Sequence, residues 1–97
     1  MTQTAQNEEV TLSADTWTLI SEVNCTFVVN EGAVEILGMD GAAPDSDDTG
    51  ILYRAGQGED SETDTLARFP GAGTADRIYA ISRGRDAKLF VSRESVA

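Results

Sequence analysis

The chain of 97 residues contains no histidine, one cysteine and no run of apolar residues approaching the roughly 20 that a membrane-spanning helix needs. Without histidine, Ser-His-Asp and Cys-His catalytic groups are excluded, and so is an imidazole ligand for a transition metal. With Cys25 alone, no disulfide can form within the chain. We therefore expect a soluble domain held together by packing, by oligomerisation or by both.

Basic residues are missing from the first half of the chain. Residues 1–50 hold ten acidic side chains and no Lys or Arg, whereas residues 51–97 hold seven of each, which gives a net charge of −10. Such a chain repels nucleic acid and anionic membranes, so we expect neither as a partner. The polar start MTQTAQNEEV lacks the basic and apolar stretches of a secretory signal, which predicts that the protein stays where it is made.

What the chain does contain is a series of short segments in which apolar and polar residues alternate. They are rich in Val, Ile, Thr, Phe and Tyr, which favours strands over helices. The pattern predicts an all-β, single-domain, two-sheet sandwich of the jelly-roll kind, with about eight short antiparallel strands. This domain spans residues 10–97, and residues 1–9 form a flexible acidic arm. Strands are predicted at 10–13, 16–21, 24–30, 33–39, 50–55, 64–69, 76–82 and 87–93.

The same alternation predicts the core and the turns. Glycine allows the chain to reverse at 30–32 and at 84–86, so these are the expected hairpin tips. The side chains predicted to face the core are Trp17, Leu19, Phe27, Val29, Val34, Ile36, Leu52, Ile78, Leu89 and Val91.

Two late segments, 78–81 and 89–91, are apolar on both faces. In so small a domain, a strand with two apolar faces predicts that one face meets another subunit. The alternative is a central strand with a partly apolar exterior. The side chains predicted to form the interface between subunits are Tyr79, Ile81 and Phe90.

The segment DSDDTG at residues 45–50 resembles the start of a calcium loop, although an EF-hand loop needs a bidentate Glu at its twelfth position and Gly56 stands there. The remaining metal hypothesis is a surface site formed by Asp45, Asp47 and Asp48. A solvated turn is the commoner use of such residues.

A second acidic run, GEDSETD at residues 58–64, could in principle supply the two carboxylates of a glycosidase. Such a pair needs a cleft that perturbs one pKa and aromatic side chains that hold the sugar, and the run contains no aromatic residue. We therefore predict an exposed loop, no catalytic residues and no cofactor.

Five segments of the chain form an ordered series of short motifs: LSADTWTLISE (12–22), FVVNEGAVEI (27–36), GAAPDSDDTGILYRAGQ (41–57), RIYAIS (77–82) and AKLFVSR (87–93). Taken together, they resemble a family of small proteins of tailed bacteriophages, and the resemblance covers roughly residues 10–95. The acidic loop GQGEDSETD departs from the family pattern by being longer and more charged.

The resemblance implies a non-enzymatic structural protein of the virion, assembled in the cytoplasm of the host bacterium. Such proteins are β-sandwich or jelly-roll modules that decorate the capsid shell, often as trimers. We therefore expect a capsid decoration or cement protein that forms a homo-oligomer, with a trimer favoured, and that bridges major capsid or other virion proteins. The alternatives are a base component of a head fibre or tail appendage, and a module that binds carbohydrate or the host surface.

Overall fold

A computed structural model describes residues 3–59, 69 and 75–96 of the chain, with side chains for 7–59, 69 and 75–93. This part of the chain contains eight strands, and it contains no helix long and apolar enough to cross a membrane. The strands are β1 (Gln3–Leu12), β2 (Thr18–Ser21), β3 (Cys25–Glu31), β4 (Ala33–Met39), β5 (Ile51–Arg54), β6 (Gly58–Glu59), β7 (Arg77–Ile81) and β8 (Ala87–Val96).

The strands form two four-stranded antiparallel sheets, in the orders β1-β8-β3-β6 and β2-β7-β4-β5. β1 pairs with β8, β2 with β7, β3 with β6 and β4 with β5, so each strand in the first half of the series pairs with its mirror-image strand in the second half. This is the pattern of a long antiparallel ribbon wrapped into two facing sheets, which is a jelly roll. The predicted all-β sandwich is confirmed.

The two predicted hairpin tips are turns, but they do not join paired strands. Gly32 and Gly84 both have positive φ, at 88° and 78°, as the turn prediction requires. β3 and β4 nevertheless lie in opposite sheets, and so do β7 and β8. The hairpin prediction is wrong at both places because a local turn signal does not say which sheet the next strand joins.

The predicted flexible arm is also wrong for residues 3–9, which belong to β1. Gln3 to Leu12 pair in register with Val96 to Ala87 of β8, so the strand begins seven residues before the predicted start at residue 10. Residues 3–9 show no apolar alternation that would predict a strand. Main-chain pairing with β8 holds them in place, together with an ion pair of 3.0 Å between Glu8 and Arg93. Residues 1 and 2 lie outside the described residues.

Between the sheets lies one core. Phe27, Tyr53 and Phe69 meet there with ring centroids 5.1 to 6.3 Å apart. Gly38 makes room for this cluster, since a Cβ atom at Gly38 would lie 1.5 Å from the carbonyl oxygen of Phe69. The fully or almost fully buried apolar side chains include Leu12, Ile20, Cys25, Phe27, Val29, Val34, Ile36, Phe69, Ile78, Leu89 and Val91.

Seven of the ten predicted core residues are buried, and three are not. Leu19 is 38% exposed, because β2 is irregular between Leu19 and Ser21 and buries Ile20 instead. Leu52 is 51% exposed and Trp17 is half-buried outside any strand. The predicted strand at 64–69 lies outside the described residues except for Phe69, and the short strand β6 was not predicted.

Candidate functional site

The acidic stretch that suggested a metal site is a hydrogen-bonded turn in the connection between β4 and β5. The backbone N–H of Asp48 donates to the carbonyl of Asp45 at 3.0 Å, and the N–H of Asp45 donates to the Asp48 carboxylate at 2.8 Å. One carboxylate is thus used to close the turn itself, as short acidic side chains commonly do. Asp45 and Asp47 are exposed to solvent.

A single arginine fastens this turn to the sheet beneath it. Arg83 donates from Nη1 to the carbonyl of Ser46 at 2.7 Å and from Nη2 to the carbonyl of Asp48 at 2.6 Å. Its Nε also donates to Glu35 Oε2 on β4 at 3.1 Å. The guanidinium lies 5.6 Å from the centre of the Trp17 ring, whose Nε1 donates to the carbonyl of Asp45 at 2.9 Å. We call this set of contacts the Arg83 clasp.

Glu35 is the acidic member of the clasp. Burial alone would raise the pKa of its carboxyl group, but the hydrogen bond from Arg83, the hydrogen bond from the N–H of Gly50 and the charge of Arg83 together lower the pKa below the ordinary value of 4.5. The bond from Gly50 is 3.0 Å long. The carboxylate therefore stays charged and binds both Gly50, at the end of the connection, and Arg83, which holds the turn.

The contacts of the clasp already engage the acidic turn and the Trp17 ring, the groups that could otherwise bind a metal ion or a sugar. In residues 3–59, 69 and 75–96, no group of three or more His, Cys, Asp or Glu side chains is arranged to hold a metal ion, so Asp45, Asp47 and Asp48 are not brought together as a site. One face of the Trp17 ring is occupied by the Arg83 guanidinium, which removes a surface on which a sugar could stack.

Two of the three predicted interface residues are covered by the chain itself. Ile81 has no exposed surface and Tyr79 is 8% exposed. Ile81 lies opposite Glu35 in the sheet and two residues before Arg83, so it stands beside the side chains of the clasp. The prediction is corrected for these two residues, because their side chains offer almost no surface to a second copy.

Phe90, the third predicted interface residue, lies on the outer face of the other sheet. Its neighbours along β8, Leu89 and Val91, are fully buried, so alternation directs Phe90 outward, and it is 39% exposed. Glu9 on β1 and Val28 on β3 lie opposite it. We call this surface, formed by the outward side chains of β1, β8, β3 and β6, the open face. Its described members include Asn7, Glu9, Thr11, Thr26, Val28, Asn30, Lys88, Phe90 and Ser92.

Beside Phe90 the open face contains a hollow of about 500 Å³. Gly58 of β6 lies opposite Val28 at the edge of this hollow. A Cβ atom at Gly58 would lie 1.9 Å from the Phe27 carbonyl oxygen, so the tight pairing of β6 with β3 requires glycine here. The hollow is lined by Thr26, Phe27, Val28, Gly56, Gly58, Glu59 and Phe90.

Polar side chains frame the apolar part of the open face. The Asn30 amide donates to Glu9 Oε2 at 3.3 Å, a bond that reaches across β8. The Ser92 hydroxyl donates to the Asn7 side-chain oxygen on the other side of Phe90. An exposed aromatic ring surrounded by satisfied polar groups is the composition of a protein contact surface.

Comparison with known proteins found no matching protein-family model, no matching curated protein and no matching solved structure.

The sequence pattern pointed to Phe90, whose place in an interface stays a prediction, but it revealed neither the clasp nor the hollow. Arg83 carries no signal in the sequence because two of its partners are main-chain carbonyls, which any residue type supplies. The hollow depends on the pairing of Gly58 with Val28, which only the strand order reveals.

Proposed function

We propose that the protein is a non-enzymatic structural protein of a tailed-bacteriophage particle, a capsid decoration protein that self-associates and bridges shell proteins. The observation that carries the proposal is the open face, where Phe90 is 39% exposed beside a hollow of about 500 Å³. An exposed aromatic group on a flat sheet surface is suited to contact with another protein. The phage setting rests on the sequence resemblance.

The distribution of charge supports a role on the surface of an assembly. The exposed acidic turn at Asp45 and Asp47 lies on the side of the sheet opposite the open face, and the open face presents the exposed ring of Phe90. The two sides of the sandwich therefore differ in chemistry. A decoration protein can attach by one side while the other side, acidic and hydrated, keeps the particle soluble.

The stiffness of the fold also fits a mechanical role. The long pairing of β1 with β8 and the Arg83 clasp fix both outer faces of the sandwich with backbone hydrogen bonds and charged contacts. A bridging protein transmits load between neighbours only if its own surfaces keep their shape. Many copies, each making modest contacts, then add up across a lattice.

The proposal is tested by locating the protein in particles. Phage particles that carry this coding sequence would be purified on a density gradient and analysed by quantitative mass spectrometry. We expect the chain to occur in a fixed ratio to the major shell protein, and the purified protein to rebind particles from which it has been stripped. Its absence from intact particles, while the protein is abundant in the lysate, would contradict the proposal.

A further inference from the structure

We propose that two copies of this chain dock through their open faces, with Phe90 of each copy inserted into the hollow of the other. This names the self-association surface within the proposed function, on which it rests for the expectation that copies associate. The partner is a second copy because one face presents both members of a complementary pair, an exposed aromatic ring and a hollow beside it.

The strand pairing places the relevant residues in one row across the sheet. Glu9, Phe90, Val28 and Gly58 stand opposite one another on β1, β8, β3 and β6 in that order. The hollow therefore lies above Val28, between the ring of Phe90 and the bare backbone at Gly58. An aromatic side chain that entered it would contact Phe90 on one side and β6 on the other.

A two-fold axis parallel to the strands, midway between β8 and β3, places the second copy in this position. Rotation about such an axis exchanges the positions of β8 and β3, so Phe90 of one copy arrives above Val28 of the other. Because a two-fold rotation relates the copies to each other in the same way, the Phe90 ring of each copy enters the hollow of the other. The two Phe90 rings then lie beside each other, an arrangement that stabilises aromatic pairs beyond their buried area.

The same rotation brings opposite charges together at the rim. Lys88 precedes Phe90 by two residues on the open face, and the irregular pairing of β3 with β8 places Glu31 opposite it. After the rotation, Lys88 of each copy faces the Asn30–Glu31 stretch of the other. Glu9 arrives above Gly58, which carries no charge to oppose it. The rim of the open face is thus complementary to the rim of the second copy, as the centre is to the centre.

The net charge of −10 on each copy opposes association at long range. Salt screens this repulsion and leaves the short-range apolar contact intact, so the dimer should become tighter as salt is raised. An interface dominated by ion pairs would show the reverse. The two-fold arrangement also differs from the trimer that the family resemblance implies.

Sedimentation equilibrium of the full chain from micromolar to millimolar concentration tests the proposal. A copy has a mass of 10.3 kDa, so the wild-type protein should approach twice that mass and do so at lower concentration in high salt. Phe90→Glu should weaken the dimer by roughly tenfold or more, about 1.4 kcal/mol of binding free energy. Leu19→Glu changes an apolar residue on the other sheet that is 38% exposed, close to the 39% of Phe90, and should leave the dimer unchanged.

Circular dichroism of each variant shows whether it folds, and Phe90→Ser replaces Phe90→Glu if the charged variant does not. A monomer at every concentration and salt, a trimer mass, or a dimer that survives loss of Phe90 would each overturn the two-fold docking. A wild-type monomer that binds an aromatic peptide would also overturn it, because a foreign segment would then occupy the hollow. A dimer that is missing from phage particles would instead overturn the proposed function and leave this inference standing.

Discussion

The outer faces of the two sheets share one sequence pattern but differ in how far their central strands are buried. β7 and β8 are both central strands with apolar residues on both sides, which predicts a second buried face for each. On β7 that face is buried within the chain itself, where Ile81 has no exposed surface and lies beside the Arg83 clasp. On β8 the corresponding residue, Phe90, remains 39% exposed.

The difference lies in the chain connections and their anchors. The connection between β4 and β5 spans residues 40–50, which is long enough to cross the sheet, and Arg83 and Glu35 bind it there. The turns at Gly32 and Gly84 are short and pass directly from one sheet to the other. A strand that is apolar on both faces therefore predicts that its outer face is covered, and on β7 the chain itself provides the cover.

The largest loss of stability is expected from Gly50→Ala, which disrupts the connection between β4 and β5. A Cβ atom at Gly50 would lie 2.5 Å from the carbonyl oxygen of Ile36, so the connection must move away from β4 and its hydrogen bond to Glu35 is lost. We expect a loss of about 3 kcal/mol in the free energy of unfolding by urea. Thr49→Ala, its exposed neighbour, is the control, and equal unfolding midpoints for the two variants would contradict the close packing of this connection.

Arg83→Ala removes the clasp without crowding the backbone. It deprives two carbonyls and the Glu35 carboxylate of a charged donor, which should cost about 2 kcal/mol and speed amide hydrogen exchange in residues 45–50. Arg85→Ala changes an exposed arginine in the same turn and should alter stability by less than about 0.5 kcal/mol. If the two variants have the same free energy of unfolding, the Arg83 clasp does not stabilise the attachment of the turn to the sheet.

Glu35→Gln should have a smaller effect that depends on pH. Because the pKa of Glu35 is lowered in the folded protein, its stabilising contribution is fully present above the unfolded-state pKa, near 4.5, and is lost as the pH falls through the lower folded-state pKa. We expect the variant to be less stable than wild type by about 1 kcal/mol at neutral pH and the difference to shrink in acid. Glu22→Gln controls for the loss of one charge, and a gap between wild type and Glu35→Gln that is constant with pH would oppose this account.

The smallest effect on monomer stability is expected on the open face. Phe90→Ser should change the unfolding free energy by about 0.5 kcal/mol at protein concentrations where monomers prevail, because the ring lies outside the core. Thermal unfolding of dilute samples measures this. A loss as large as that of Arg83→Ala would mean that Phe90 supports the fold of its own chain, and the contrast between the two faces would disappear.

Alternation was sufficient to predict the fold class and most of the core. Val34 and Ile36 on β4, and Leu89 and Val91 on β8, are buried as their spacing requires. It failed at Leu19, where an irregularity in β2 shifts the buried position by one residue. Such shifts are set by pairing with β7, which a single segment does not reveal.

The remaining features depend on contacts between distant parts of the chain. Arg83 binds main-chain carbonyls more than 30 residues away, and any residue type could have supplied them. Residues 3–9 have no apolar pattern, so only the complementary length of β8 shows that they form a strand. The hollow beside Phe90 is lined by Gly58 and Val28, which are brought together by a strand pairing that the sequence does not encode locally.

The central claim, that the open face docks on a second copy, is tested most directly by mixing two charge-reversed variants. Lys88→Glu and Glu31→Lys should each associate more weakly than wild type, because like charges then meet at the rim. In a mixture, each copy supplies the charge that the other needs, while the pairs within each chain stay mismatched. We predict that sedimentation of the mixture shows a restored dimer. A mixture that associates no better than its separate components would contradict docking through this face.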